Sequence, residues 1–137
     1  MVSANRSRFI TGMTGVYATA AELSARGYIV TLTARNAPGI DIMASTPNLM
    51  KTFNIQVKAN KPHGTQSFWL LSKDAKETVS PNFFYVFVNL KENDKPDFYV
   101  TSSKTVARSI DTSRSKSGVW YSFQRDPKHK DRWDLLR

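Results

Sequence analysis

Apolar residues recur along the chain with two different periods, and each period predicts a different kind of element. Over residues 12–26, Val16, Ala20 and Leu23 recur every three or four positions among alanines, which predicts a helix that ends before Gly27. Short runs rich in β-branched or aromatic residues predict strands. These runs are residues 28–33, 40–44, 53–58, 83–90, 97–100 and 119–123, with 67–71 as a further strand or a turn. One helix followed mainly by strands predicts an α/β protein with a mixed central sheet.

Two of these strands are expected to differ in how many of their faces are buried. Residues 53–58 alternate apolar and polar side chains, so Phe53, Ile55 and Val57 lie on one face of the strand. Residues 83–90 are almost continuously apolar, which is typical of a strand covered on both faces of its sheet.

Polar segments connect the predicted elements. Residues 1–10 are polar and basic, and we expect them to form a loose arm. Residues 102–110 predict a second helix, and residues 111–118 predict a polar loop. The serine, arginine and lysine residues of the stretch 109–116 fit either a loop that contacts phosphates or an ordinary solvated loop.

Composition narrows the classes of protein that fit this pattern. Apolar residues make up 40% of the 137 residues and aromatic residues 12%, so we expect a single domain over residues 1–137. We expect Trp69, Trp120 and Trp133 in its core rather than on a base-stacking surface. The absence of cysteine excludes disulfide scaffolds, iron–sulfur sites and thiol nucleophiles. No apolar run is long enough to cross a membrane, so we expect a soluble cytoplasmic protein.

The distribution of charge indicates a polyanionic partner. The chain carries 20 Lys and Arg against 11 Asp and Glu, a formal net charge of +9. Residues 1–62 hold seven basic and two acidic side chains and residues 102–137 hold nine and four, whereas the middle is close to neutral. Basic side chains bind nucleic-acid phosphates and release condensed counterions, so DNA is a natural partner. The same charge also fits a generically basic protein, or one that binds an acidic protein.

Three polar residues interrupt otherwise apolar strands. Asp41 lies between two isoleucines, and Gln56 and Lys58 are two positions apart on one strand, so the latter two point to the same face. If these strands are antiparallel neighbours, Asp41 lies beside Gln56 and Lys58. Taken singly, Asp41 also fits a strand end that bonds backbone amides, and Lys58 fits a solvated surface position. Together, the three residues favour a polar site.

With a helix, then Asp41, then Gln56 and Lys58 in this order along the chain, the sequence resembles the PD-(D/E)XK nuclease superfamily, in particular small Holliday-junction-resolvase-like and restriction-endonuclease-like proteins. The resemblance covers residues 12–60 and rests on the helix end Leu23–Tyr28, on Gly39–Ile42 and on Ile55–Lys58. It implies a restriction-endonuclease-like fold, a mixed central sheet flanked by helices. It also implies hydrolysis of DNA phosphodiester bonds with Mg²⁺ or Mn²⁺, and it is consistent with a homodimer.

The resemblance further implies a role for each residue of this group. Asp41 and the side-chain oxygen of Gln56 would bind the metal, with the backbone carbonyl of Val57 as a third protein ligand. Lys58 would orient the attacking water and offset the charge that develops on the phosphorus. We expect two further cations to contact the DNA backbone, namely Arg35 and Lys61.

Two positions depart from the family's pattern. Many relatives have a glutamate early in the first helix, at the position where this chain has Val16. Gln56 stands where most relatives have a carboxylate, so Asp41 is the single anionic ligand expected and metal binding should be weaker. Glu22 lies about 240° around the helix from Val16 and does not replace the missing carboxylate. Three functions therefore stay open: a metal-dependent endonuclease, a nucleic-acid-binding module of the same fold without catalysis, and an interaction protein with an acidic partner.

Overall fold

The fold consists of eight strands in two sheets, with helices on the larger sheet, in a computed structural model that describes residues 3–34, 39–64 and 66–137. The strands are β1 (Ile29–Leu32), β2 (Ile42–Ser45), β3 (Thr52–Asn60), β4 (Phe68–Leu71), β5 (Phe83–Asn89), β6 (Asp97–Ser102), β7 (Asp111–Ser115) and β8 (Gly118–Gln124). The helices of the described residues are α1 (Ala4–Ala25), α2 (Ser103–Ser109) and short 3₁₀ helices at Lys73–Lys76, Pro127–His129 and Trp133–Leu135. Within these ranges, no helix is long and apolar enough to cross a membrane.

The larger sheet has five strands in the order β1-β2-β3-β5-β6. Its neighbours are antiparallel except β3 and β5, which run parallel, so the sheet is mixed as expected. The smaller sheet is antiparallel, in the order β4-β8-β7. The α/β fold class expected from the sequence is therefore confirmed.

Strand β5 separates two hydrophobic cores, which confirms that both of its faces are covered. The first core lies beneath α1 and the second core includes residues of the smaller sheet and α2. Alternate side chains of β5 enter them, Phe84, Val86 and Val88 in the first core and Phe83, Tyr85 and Phe87 in the second. The ring of Phe87 stacks on that of Phe123 in β8, with centroids 4.5 Å apart, and so joins the smaller sheet to the larger one.

Helix α1 begins earlier than expected. It starts at Ala4 rather than at residue 12, so the loose arm expected over residues 1–10 is wrong from Ala4 onward. The hydroxyl of Ser3 accepts a hydrogen bond from the backbone N–H of Arg6 and caps the first turn. The physical reason for the difference is this cap, because Ser3 starts the helix before the apolar pattern over residues 12–26 begins.

Two expectations near the end of the chain are also wrong. Residues 111–118, expected to form a loop, contain β7 and the turn that leads into β8. Every side chain of β7 is exposed, so its sequence lacks the alternation that a half-buried strand would show. Trp120, expected in the core, is exposed on β8, whereas Trp69 and Trp133 are buried.

Helix α1 approaches the larger sheet closely at Gly15. A Cβ atom added to Gly15 would lie 2.6 Å from the Cβ of Ala59 in β3, well inside contact distance. Glycine therefore lets the helix axis lie nearer to β3 than any other residue would.

Replacing Gly15 by alanine should lower the free energy of unfolding by about 1–3 kcal/mol, the usual cost of overpacking, because α1 must move away from β3. Gly12→Ala is the matched control, since no atom lies within 4 Å of its added Cβ. It should be neutral or stabilising by up to about 1 kcal/mol, because alanine is the better helix former. Urea unfolding followed by circular dichroism measures both, and a Gly15→Ala protein as stable as the wild type would contradict the close approach.

Candidate functional site

The candidate site lies where β3 continues past the end of β2. The ladder between these strands ends at the pair Ile42–Ile55, whereas β3 runs on to Asn60 beside β5. The N–H of Asn54 donates to the carbonyl of Asn82, the residue before β5, and the N–H of Leu90, the residue after β5, donates to the carbonyl of Asn60. Even-numbered residues of β3 therefore bond toward β5. By alternation, the N–H and carbonyl of Val57 point to the opposite, open edge of β3.

Asp41 occupies this open edge with its carboxylate. Its Oδ2 accepts a hydrogen bond from the backbone N–H of Val57 at 2.7 Å, and its own N–H donates to the carbonyl of Ile55 at 2.9 Å. The Asp41 side chain thus bonds the backbone of β3 where β2 no longer pairs with it. This is the strand-end role that the sequence also allowed for Asp41. The second oxygen, Oδ1, has no hydrogen-bond partner among the described residues.

Gln56 and Lys58 lie on the face of β3 that is turned away from α1. In the register of the sheet they lie beside Tyr85 and Phe87, which both belong to the second core. Burial lowers the pKa of Lys58, and the nearby carboxylate of Asp41 partly offsets this by raising the pKa. Asp41 and Lys58 therefore interact electrostatically, although they form no direct ion pair.

Two adjoining cavities flank Val57. One, of about 580 Å³, is lined by Lys58 and Lys61 of the β3 end together with Arg8 of α1. The other, of about 550 Å³, is lined by Asp41. Arg8 and Val57 line both cavities, which therefore adjoin, and we call the two cavities together the groove.

The structure brings most of the expected site residues together. Asp41 and Val57 are bonded, Lys58 is within electrostatic range, and Lys61 is exposed in the same cavity as Lys58. The Gln56 side chain makes no hydrogen bond to another described residue, and its register position is next to that of Asp41. The remaining expected residue, Arg35, lies outside the described residues.

Arg8 is the site residue that the sequence analysis missed. It lies on the part of α1 that was expected to be a loose arm, four positions before Gly12 and eight before Val16. This spacing places the three residues on one helical face, which borders the cavities. The signal that could have identified Arg8 is Ser3, a favourable N-cap residue that extends the helix to include it.

The oxygen atoms at the open edge suit a hard divalent cation. They are the free oxygen of Asp41 and the carbonyl of Val57, and Mg²⁺ and Mn²⁺ prefer such ligands while retaining several waters. The side chain of Gln56 lines neither cavity. The described residues contain no cluster of three His, Asp or Glu side chains. Val16 lines the Asp41 cavity without a charge, and Glu22 pairs instead with Arg26 at 3.1 Å. The donor set therefore fits a weakly held ion.

Comparison with known proteins identifies the fold. No protein family matches the sequence, and no curated protein matches it. The fold is similar to that of a solved bacterial homing endonuclease, I-Ssp6803I, with a TM-score of 0.58 over 93% of this chain and 90% of that chain. Only 12% of the aligned residues are identical, so the likeness shows a nuclease-like α/β fold.

Lys58→Met should raise the free energy of unfolding at neutral pH by about 1 kcal/mol, because it removes a charge that burial disfavours. Because the pKa of Lys58 is lowered in the folded protein, Lys58 loses its proton at a lower pH in the folded state than in the unfolded chain. The free energy of unfolding of the wild type therefore increases as the pH rises through the folded-state pKa. The difference between the two proteins should therefore shrink toward about pH 10. Urea unfolding at both pH values measures it, and a constant difference would show that Lys58 is not desolvated.

Proposed function

We propose that this protein is a metal-dependent endonuclease of the PD-(D/E)XK type that hydrolyses DNA phosphodiester bonds. The observation that carries the proposal is the bond between the Asp41 carboxylate and Val57 at the open edge of β3, with Lys58 next along the same strand. The order of these residues along the chain and the nuclease-like fold both support this assignment. The basic groups around the groove add the affinity for phosphate that a DNA substrate requires.

The residues of the site divide the work of hydrolysis. Asp41, Gln56 and the Val57 carbonyl would hold Mg²⁺ or Mn²⁺, which when bound polarises a phosphoryl oxygen and lowers the pKa of bound water. Lys58 orients the attacking water and, as a cation, stabilises negative charge on the phosphoryl oxygens. Water adds to phosphorus and one ester oxygen leaves with a proton, so the products are a phosphate monoester and a hydroxyl group.

Arg8 and Lys61 bind the DNA backbone beside the reacting phosphate. Both line the cavity that contains Lys58, and Arg8 reaches the groove from α1. A guanidinium group binds phosphate through two parallel hydrogen bonds, whereas an ammonium group acts as a point charge. The two cations together hold the substrate against the open edge of β3.

A second candidate is a nucleic-acid-binding module that keeps the fold and lacks catalysis. Val16, rather than a carboxylate, lines the Asp41 cavity, and Gln56 is neutral, so the described part of the chain offers a metal ion one anion there, Asp41. Salt-dependent binding of DNA without turnover in any divalent metal would favour this module over the enzyme.

Wild-type protein should nick plasmid or branched DNA in the presence of Mg²⁺ or Mn²⁺. Asp41→Asn and Lys58→Met should each lower the rate on the order of 10²-fold, since each removes one charged group that acts on the phosphoryl transition state. Asparagine is preferable to alanine at position 41, because its oxygen still accepts the hydrogen bond of Val57 and the fold is retained. Gel electrophoresis of the products measures the rate, and unchanged cleavage by both folded variants would reject the assigned roles.

Arg8→Ala should weaken DNA binding about tenfold, the value of one charge-assisted hydrogen bond to phosphate, and should reduce the salt dependence of binding by about one phosphate. Arg6→Ala is the matched control, because it removes the same charge from the same exposed turn but lies about 200° around the helix. Fluorescence anisotropy with a labelled duplex at several salt concentrations separates the two. Equal weakening by both variants would show that only net charge matters.

A further inference from the structure

The β7–β8 hairpin projects from the smaller sheet as a two-stranded ribbon. Strand β4 pairs only with residues 121–124 of β8, so the hairpin extends past the end of β4. All ten residues from 111 to 120 are exposed. A two-stranded hairpin gains little stability by itself in water, so this exposed ribbon contributes little to the fold.

The hairpin carries an exposed aromatic side chain in a defined position. Trp120 is 46% exposed, and its neighbour Val119 is 42% exposed. The indole N–H of Trp120 donates to the hydroxyl of Ser115 at 3.3 Å, which holds the ring across the ribbon. An amphipathic ring held on an exposed surface is typical of a binding site.

The same region is strongly basic. Arg114 and Lys116 lie at or near the hairpin turn, and α2, which leads into the hairpin, adds the exposed Lys104 and Arg108. Asp111 is the one acidic residue in this stretch. Serines alternate with the hairpin's basic residues and offer hydroxyl groups that both donate and accept hydrogen bonds. The partner of this surface should therefore be a polyanion with polar edges.

We propose that the β7–β8 hairpin binds double-stranded DNA by entering the major groove. A two-stranded ribbon fits this groove, which is about 12 Å wide, and basic side chains at its edges reach the phosphates. The inference rests on the proposed function for its choice of DNA, and it adds a contact region that is separate from the Asp41 site.

Strand β8 sets the distance between the two contact regions. Gln124, at its far end, pairs with Phe68, and Phe68 lines the cavity that contains Lys58. From Gln124 back to Gly118 the strand rises over six residue-to-residue steps, or ~20 Å at ~3.4 Å per step. This length equals about six base pairs of B-form DNA, so one duplex can contact both the hairpin and the cavity.

Tryptophan fluorescence tests the hairpin contact without any cleavage. Trp69 and Trp133 are 1% and 4% exposed, so acrylamide should quench mainly Trp120. A short duplex, added with a chelator to prevent turnover, should reduce the quenching constant to that of Trp120→Phe, which DNA should leave unchanged. Duplex that binds while Trp120 stays equally accessible to acrylamide would overturn the inference. Protection by polyglutamate equal to that by the duplex would overturn the assignment to DNA in favour of an acidic protein.

Paired charge variants test the binding of phosphates by the hairpin. Arg114→Ala with Lys116→Ala should reduce the slope of log affinity against log salt by about 0.9 for each phosphate that the protein no longer neutralises. Lys51→Ala with Lys95→Ala is the matched control, because it removes two exposed cations that lie away from the hairpin. If the wild type cuts DNA and the two double variants bind it equally, the hairpin inference fails and the endonuclease proposal stands. If the hairpin variant alone loses affinity and no metal supports cleavage, the hairpin inference stands and the endonuclease proposal fails.

Discussion

The hydrogen bond from the Val57 N–H to the Asp41 carboxylate is the constraint on which the candidate site depends. The pairing of β2 with β3 stops at Ile55, whereas β3 continues. Without Asp41, the N–H of Val57 would be an unpaired donor in a partly buried position. A carboxylate satisfies that donor with one oxygen and keeps the other for a ligand. In the proposed enzyme, structural and chemical roles are therefore not alternatives for Asp41, because the bond that completes the sheet also fixes the carboxylate that would hold the metal.

The rest of the fold holds this edge in place. Strand β5, covered by a core on each face, provides a rigid neighbour for β3, and Gly15 brings α1 close enough for Arg8 to border the groove. A site built on strands and a long helix holds its groups with less freedom than one built on loops. The second core also lowers the pKa of Lys58 through burial, so packing and the chemistry of the site are linked through β3.

The sequence was informative where one face of an element is buried. Alternation over residues 53–58 correctly oriented Val57 and Lys58 to opposite faces. The antiparallel pairing on which the proximity of Asp41 depended is present between β2 and β3. Neither Arg8 nor β7 could be found in this way, because residues 4–10 and 111–115 are exposed on all sides and lack a period. Trp120 was misplaced because composition indicates that aromatic rings favour the core but does not indicate which of the three tryptophans the fold leaves exposed.

The charges around the groove make metal and DNA depend on each other in the proposed enzyme. Asp41 is the single carboxylate among Arg8, Lys58 and Lys61, so a divalent cation alone meets more positive than negative charge. A phosphate group in the groove reverses that balance and supplies further oxygen ligands to the ion. By linkage, an ion that binds better beside phosphate also makes the phosphate bind better. In the proposed enzyme the substrate therefore offsets the absence of a carboxylate at Val16, and a site with one anion can still assemble.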